Sequence, residues 1–381
     1  RLLLDVAQGA PPQVRTVFDD DSPRFLSLSP GAAAETSVSS FVTTMKGCNE
    51  RCSFCIVPTT RGSERYRKSS EIIDEIKQMV AAGVREVTLL GQTVNSYRDP
   101  EGALAQAPEA DASAPDESEF AALLWAIAER APGLSRLRYT SPHPRHLTPS
   151  LIRAHAELAI LPRHVHLPVQ SGSDRMLRRM IRRYTRAEYE ARVARLRERA
   201  PGTTLSTDVL VGCPGEAEDD FALALALIEA VGAVGVFGFK YSPRPFTPAL
   251  KLGDDVSEAE KSARLARLFA LSERLIQQHL QALVGTRQEV LVEGPAKQTR
   301  AGEPETFTGR SGRNEIVHLR DPAAAGLVGQ VVPVTVAQAF KHSLLGELSE
   351  ETRRRGLAEA AARPRPKRRG LPMVASEGGH T

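Results

Sequence analysis

Three of the chain's four cysteines, Cys48, Cys52 and Cys55, lie in one short stretch, GCNERCSFC, spaced four and then three apart. The thiolate is both a metal ligand and a nucleophile. Three thiols on one loop therefore point to a metal centre or to redox chemistry. A disulfide framework belongs instead to small secreted chains with paired cysteines. A structural zinc site takes four ligands, commonly two CxxC pairs or added histidines. No second CxxC follows here, so zinc would need a histidine to complete it. Three thiolates also suit a four-iron, four-sulfur (4Fe-4S) cluster with one iron left open, whereas electron carriers usually fill all four positions with cysteine. An open iron can bind a substrate or cofactor directly. Cys213 stands alone and reads as a buried structural thiol.

Other stretches place polar or flexible residues where a ligand could meet them. LLGQTVNSY puts Gly91 and Gln92 at the end of an apolar run, and glycine allows close backbone approach. HVHLPVQSGSDRML sets His164 and His166 on one strand face by the period of two, without a carboxylate at a spacing suited to metal binding. Gln170, Ser171 and Ser173 follow with amide and hydroxyl groups. RRMIRRY then supplies four arginines, mostly a solvated face, of which Arg182 or Arg183 has the guanidinium geometry to pair with a carboxylate. Asp208 is a polar residue inside an apolar run, suited to hydrogen-bond a ribose or to pair with an arginine. YSPRPFTPA, with three prolines, reads as a rigid loop.

These residues need a frame. The 381 residues are 41% hydrophobic and 25% charged, an ordinary globular composition long enough for roughly two domains or one large barrel. A formal charge of +4 is compatible with a nucleic-acid partner. No apolar run approaches the roughly 20 residues that span a bilayer, so no membrane role is expected. The hydrophobic period alternates between two and 3.6 along the chain. Strands are predicted at 37–45, 84–91, 135–140, 164–170, 203–212 and 235–242, with helices at 69–83, 119–130, 148–157, 174–199, 216–231 and 257–283. Six βα units imply an α/β fold, a partial (β/α)6 barrel over 36–283 with its chemistry at the carboxyl ends of the strands. The cysteines sit in the loop after the first strand. Residues 99–119, acidic and rich in Ala and Pro, read as a flexible insertion. Residues 284–348 turn to short strands divided by Gly, Pro and Asn, which suggests a small all-β barrel. Residues 1–35 read as a linker and 349–381 as a basic, disordered tail.

CNERCSFC resembles the CxxxCxΦC signature of radical S-adenosylmethionine (SAM) enzymes, with Phe54 as the aromatic position. The resemblance implies that Cys48, Cys52 and Cys55 hold a 4Fe-4S cluster whose open iron chelates the amino and carboxylate groups of SAM. One-electron reduction then cleaves the sulfonium to a 5′-deoxyadenosyl radical. It also implies cofactor contacts from Phe54, Gly91, Gln92, Gln170, Ser171, Arg182 and Asp208. Taken in order, GCNERCSFCIVPTTRG, EVTLLGQTVNSY, YTSPHP, HLPVQSGSDRML, GCPGE and YSPRPFTPA look like the tRNA methylthiotransferases that act on N6-isopentenyladenosine beside the anticodon. The match covers about 36–348 and makes 284–348 similar to the TRAM domain, an RNA-binding barrel. The expected partners are a tRNA anticodon stem-loop, bound in part by Arg310, Arg313, Arg320 and Lys341, and an electron donor.

The insertion and TSPHP lean toward the eukaryotic, organellar branch, so an intracellular site is expected, mitochondrial or else cytoplasmic. That family carries an amino-terminal domain whose three further cysteines hold a second 4Fe-4S cluster. Residues 1–35 would then be only its trailing edge. The chain departs from the family at Cys213, where Phe is usual, and at Phe246, where Gly is usual. Two alternatives stand beside this reading. One is a methylthiotransferase for threonylcarbamoyl-adenosine or a ribosomal protein. The other is a non-catalytic RNA-binding or kinase-regulatory protein.

Overall fold

The computed structural model describes Phe25 and residues 37–104, 118–296 and 305–362. The expectations for 1–24, 26–36, 105–117 and 363–381 lie outside the described residues. In chain order come β1 (Ser39–Thr43), β2 (Met45–Lys46), α1 (Val57–Arg61), β3 (Arg65–Tyr66), α2 (Ser69–Ala81), β4 (Glu86–Leu90), α3 (Glu119–Arg130) and β5 (Arg136–Tyr139). They are followed by α4 (Pro149–Glu157), β6 (His164–His166), α5 (Asp174–Arg179), α6 (Arg186–Arg199), β7 (Thr204–Val211), α7 (Glu218–Ala230), β8 (Ala233–Lys240) and α8 (Glu258–Ala282).

Six of these strands are parallel to their partners and keep chain order, β1-β4-β5 and β6-β7-β8. This is the partial (β/α)6 barrel, drawn as two three-stranded halves. Among the described residues no ladder joins β5 to β6. Pro162 and Pro168 bracket β6, and proline has no N–H to give a ladder. Leu137 N instead donates to Ile160 O at 2.8 Å, ahead of the strand. One core runs through both halves. It includes Val42, Leu89 and Leu137 from the first, Val165, Leu205 and Val236 from the second, and one stripe of α2, Ile72, Ile73, Ile76 and Met79.

Four expectations are corrected. The strand placed at 37–45 ends at Thr43, and Met45–Lys46 turns into a separate antiparallel hairpin with β3. The helix placed at 174–199 is broken after Arg179. Ile181 (φ 57°) and Arg183 (φ 56°) lie in the left-handed region, at a cost of about 1–3 kcal/mol each, so the helix cannot run on. Residues 99–104 are not a loose end of the insertion. The Asp99 carboxylate accepts from Ser69 N (3.1 Å), Ser69 Oγ (2.8 Å) and Ala103 N (3.0 Å), holding the start of α2.

The fourth correction concerns the tail. Five strands close a small barrel in the order β10-β11-β13-β12-β9: β9 (Arg287–Pro295), β10 (Phe307–Ser311), β11 (Ile316–Leu319), β12 (Val331–Ala339) and β13 (Ser343–Leu348). Residues 350–362, expected to be disordered, form α9 (Glu350–Ala362), packed on this barrel. The contact is backbone on backbone. A Cβ built on Gly356 would lie 2.4 Å from Ala323 O, so glycine is required there. The acidic Glu350 and Glu351 sit favourably in its first turn.

Candidate metal centre and its surroundings

The hairpin of β2 and β3 shapes the cysteine loop. Gly47 has φ +80°, and a Cβ there would lie 2.0 Å from Ser63 O. That close approach lets Cys48 N reach Gly62 O at 3.2 Å. Asn49 and Glu64 then lock the neck of the loop. Asn49 N and Nδ2 each donate to the Glu64 carboxylate at 3.2 Å, and Glu64 N donates back to Asn49 Oδ1 at 3.1 Å. Cys48 and Cys52 are buried and Cys55 half-buried. The far side of the loop is tied by Ser53, which donates to Met180 O and accepts from Ala249 N. Phe54 packs on Met176, Met180, Leu210, Cys213, Tyr241 and Ala249.

Each buried sulfur has a polar neighbour. Cys48 Sγ lies 2.9 Å from Thr93 Oγ1, and Cys52 Sγ accepts from Arg182 Nη1 at 3.2 Å. Burial pushes the Cys48 thiol up to about 11 against the pull of Thr93, and it raises Cys55 as well. A metal must displace those protons to bind. The three sulfurs do not all lie within 4.8 Å of one another, so they do not converge as ligands of one ion would. A cubane cluster attaches each thiolate to a different iron, and an all-sulfur donor set is its usual one. The residues present therefore fit a cluster better than a single zinc ion.

Among the described residues the one group of three that does converge is Glu50, His143 and His146. Glu50 belongs to the cysteine loop and the histidines to the loop after β5. His146 Nε2 lies 3.1 Å from Glu50 Oε1, and Arg145 is 4.0 Å away. The hydrogen bond with His146 is the main reason that Glu50 is held down at about 2, despite burial. His143 Nδ1 accepts from Arg145 N at 3.2 Å. Sequence reasoning missed this tie, because nothing in the spacing of CNERC and SPHPRH says that their loops meet. It missed Thr93 and Tyr184 for the same reason. A cavity of about 570 Å³ opens beside the tie, lined by Glu50, Glu64, Asn95, Arg98, Arg145 and Arg183.

The remaining expected residues are placed unevenly. Gly91 is buried, and a Cβ there would lie 2.6 Å from Met45 Cγ, so it serves close packing under the hairpin. Gln92 turns its side chain to the loop, where its Oε1 accepts from Gly47 N at 2.7 Å. Gln170 takes positive φ (74°) and exchanges backbone hydrogen bonds with Asp208 O and Leu210 N. Ser171 is buried and its Oγ accepts from Ser173 N. Arg182 is buried on Cys52, and Arg183 is exposed.

His166 has a carboxylate neighbour that its spacing in the sequence did not suggest, and Asp208 meets this histidine rather than the arginine considered for it. His166 Nε2 lies 3.4 Å from Asp208 Oδ1, because His166 stands beside Ser206 in the register and Asp208 is one side chain further along that face. Both residues line a second cavity, of about 740 Å³, in the barrel lumen. Arg310 lines it too and pairs with Glu293 at 3.4 Å. Arg313 donates to Gly202 O at 3.0 Å. These two were expected to contact RNA, and they bridge to or face the larger barrel instead. Lys341 is exposed but paired with Glu273 at 2.7 Å, and Arg320 is exposed.

Comparison with known proteins adds an independent line. Residues 42–228 match the radical SAM superfamily and residues 281–349 match the TRAM domain. A tRNA-2-methylthio-N(6)-dimethylallyladenosine synthase of Sorangium cellulosum is 62% identical over 99% of this chain and 78% of its own length. The synthase of the same name from Geobacter sulfurreducens is 45% identical over 87% of this chain and 69% of its own. A solved radical S-adenosylmethionine methyltransferase of Kitasatospora setae is 18% identical with a TM-score of 0.44, covering 55% of this chain and 38% of that one. The two synthases are bacterial, and the leaning to a eukaryotic branch finds no support among them.

Proposed function

The chain belongs to the family of tRNA-2-methylthio-N(6)-dimethylallyladenosine synthases, and from that premise we propose that it is the radical SAM methylthiotransferase acting on N6-isopentenyladenosine in tRNA. One observation carries the reading down to residues: three cysteines on a loop pinned at both ends, with a buried arginine donating to one of the sulfurs. Cys48, Cys52 and Cys55 would hold a 4Fe-4S cluster, and S-adenosylmethionine would lie at the carboxyl ends of the strands. When bound, the pair supplies reductive cleavage of the sulfonium and hence a carbon radical that removes hydrogen from an unreactive C–H bond.

The chain's own residues provide placement. Gln92 and the Asn49–Glu64 lock hold the loop. Phe54 and its apolar neighbours exclude water from one side of it. An unpaired base needs an aromatic face, and the edge strands offer two. Phe41 on β1 and Phe237 on β8 line the lumen cavity and stay 61% and 54% exposed. Beside them, His166 and Asp208 give the cavity polar groups. The small barrel supplies further affinity for the phosphate backbone from Arg320 and Lys341. An external one-electron donor completes the requirements.

The test is direct. Anaerobically reconstituted protein should show the broad absorbance of an iron–sulfur cluster, and Cys48→Ala should lose both the cluster and cofactor cleavage. Nucleosides from a deletion strain should contain isopentenyladenosine without its 2-methylthio form. If the methylthio product persists at wild-type level, the assignment is wrong.

A further inference from the structure

Arg182 was expected to meet a carboxylate of the cofactor, and the structure commits it elsewhere. Its side chain is buried, and each of its three nitrogens has a protein partner. Nη1 donates to Cys52 Sγ (3.2 Å), Nη2 to Pro168 O (2.8 Å) and Nε to Tyr184 Oη (3.0 Å). Tyr184 is itself anchored, its hydroxyl donating to Val169 O at 2.8 Å. Among the described residues Arg182 has no carboxylate within ion-pair distance. A guanidinium keeps its charge in a protein, and a buried charge without a counter-charge is costly. Of those three neighbours the sulfur becomes an anion most readily: the carbonyl cannot, and the Tyr184 phenol keeps its proton in the hydrogen bond to Val169 O.

The backbone is arranged for this contact. Ile181 and Arg183 both take positive φ, and both flank Arg182. That turn sends Arg182 inward to the sulfur and leaves Arg183 facing solvent. Strained backbone persists where surrounding contacts over-determine it, and here the contacts are those of the arginine.

We infer that Arg182 sets the reduction potential of the cluster by donating a charged hydrogen bond to the Cys52 thiolate. The inference rests on the cysteine loop being the cluster site. Reduction adds one electron, and so one negative charge, to the cluster without breaking or forming a bond. A cationic N–H donor to a ligand sulfur stabilises that added charge and raises the potential, since sulfur hydrogen bonds and net local charge are among the factors that set it. Arg182 is on this account a positioning and tuning residue, and cofactor binding is a separate matter.

The experiment is a dithionite titration of reconstituted protein without S-adenosylmethionine, followed by electron paramagnetic resonance after iron and sulfide have been counted. Arg182→Lys keeps the charge and loses the fork, Arg182→Gln loses the charge, and Tyr184→Phe leaves the arginine and removes one of its partners. The expected result is full clusters with more negative midpoints, the shift largest for Arg182→Gln and smallest for Tyr184→Phe. Full clusters at the wild-type midpoint in all three would overturn the inference. If both arginine variants lose iron, Tyr184→Phe decides: a lowered midpoint supports it, and an unchanged one overturns it. A wild-type protein that binds no iron through the three cysteines would sink the cluster reading itself, a failure visible before any titration begins.

Discussion

Burial holds His155 down to about 3 and His164 to about 4, each below the ordinary imidazole value. Both are neutral in the folded barrel. His155 Nε2 meets Tyr139 Oη at 2.6 Å, and His164 meets Thr204 and Ser206. The unfolded chain takes up their protons from about pH 6.5 downward, while the folded chain refuses them until near pH 4 and below. Stability should therefore fall across pH 6.5 to 4, by up to about 1.4 kcal/mol per pH unit for each histidine. Urea melts at pH 7.5 and 5.5 measure it. His155→Gln should be less stable at pH 7.5 yet show a shallower pH slope; an unchanged slope would remove His155 from the account. The cysteine loop allows a second residue-scale comparison. Gly47 and Gly62 both have positive φ, but only at Gly47 would a Cβ strike backbone, Ser63 O at 2.0 Å, whereas nothing lies within 4 Å at Gly62. Gly62→Ala should cost about 1–3 kcal/mol, because its φ of 75° and ψ of −167° suit glycine alone, and should still bind iron. Gly47→Ala should lose most of its iron, counted per chain after reconstitution.

At the scale of elements, α2 carries a test of its own. Its N-cap, Lys68, makes no side-chain cap, and the first turn is held instead by Asp99, thirty residues along the chain. Asp99→Ala should cost about 1–2 kcal/mol, the usual range for a lost cap, and lower the melting temperature, with Asp99→Asn between the two. The same contact explains where sequence reading stopped. Strong patterns place elements well: α2 with its stripe of Ile72, Ile73, Ile76 and Met79, or β7 with its closing apolar run Val209, Leu210 and Val211, is visible from residues alone. The cysteine triad is visible too, because its signal is local. What stayed hidden depends on distant partners. Asp99 sits at the edge of a low-complexity stretch, and its ties to Ser69 cannot be read from composition. The α5–α6 break occurs in a helix-favouring run, RRMIRRY, and is imposed by the contacts of Arg182. α9 looks like a charged tail until Gly356 is set against Ala323.

Across the whole molecule, the two ends of the strands do different work. The cysteine loop follows β1, and Gln170 and Gly91 lie just past β6 and β4, all at carboxyl ends. The small barrel meets the opposite ends. Arg136, the first residue of β5, is buried and donates to Arg310 O and, at 2.8 Å, to Glu289 O. Arg138 donates to Ser311 O at 3.3 Å, and Glu86, at the start of β4, lies 3.1 Å from Arg138 and 3.9 Å from Arg136. The partners of Arg136 are main-chain carbonyls, so the joint depends on this side chain and hardly on the identity of the residues facing it. Arg136→Ala would leave two carbonyls unmet and Glu86 with one counter-charge, at a cost of about 3 kcal/mol for a disrupted buried pair. The loss should fall on the joint. Calorimetry should show a single transition for the parent protein and, for the variant, the small barrel melting apart from the larger one. Because the cysteine loop stands at the far ends of the strands, iron content and cofactor cleavage without RNA should stay at the parent level. Binding of tRNA should weaken about tenfold or more, as expected when a bivalent surface loses its fixed geometry. If instead the iron falls with the joint, the two ends are coupled through the strands, and the division of labour drawn from their placement is wrong.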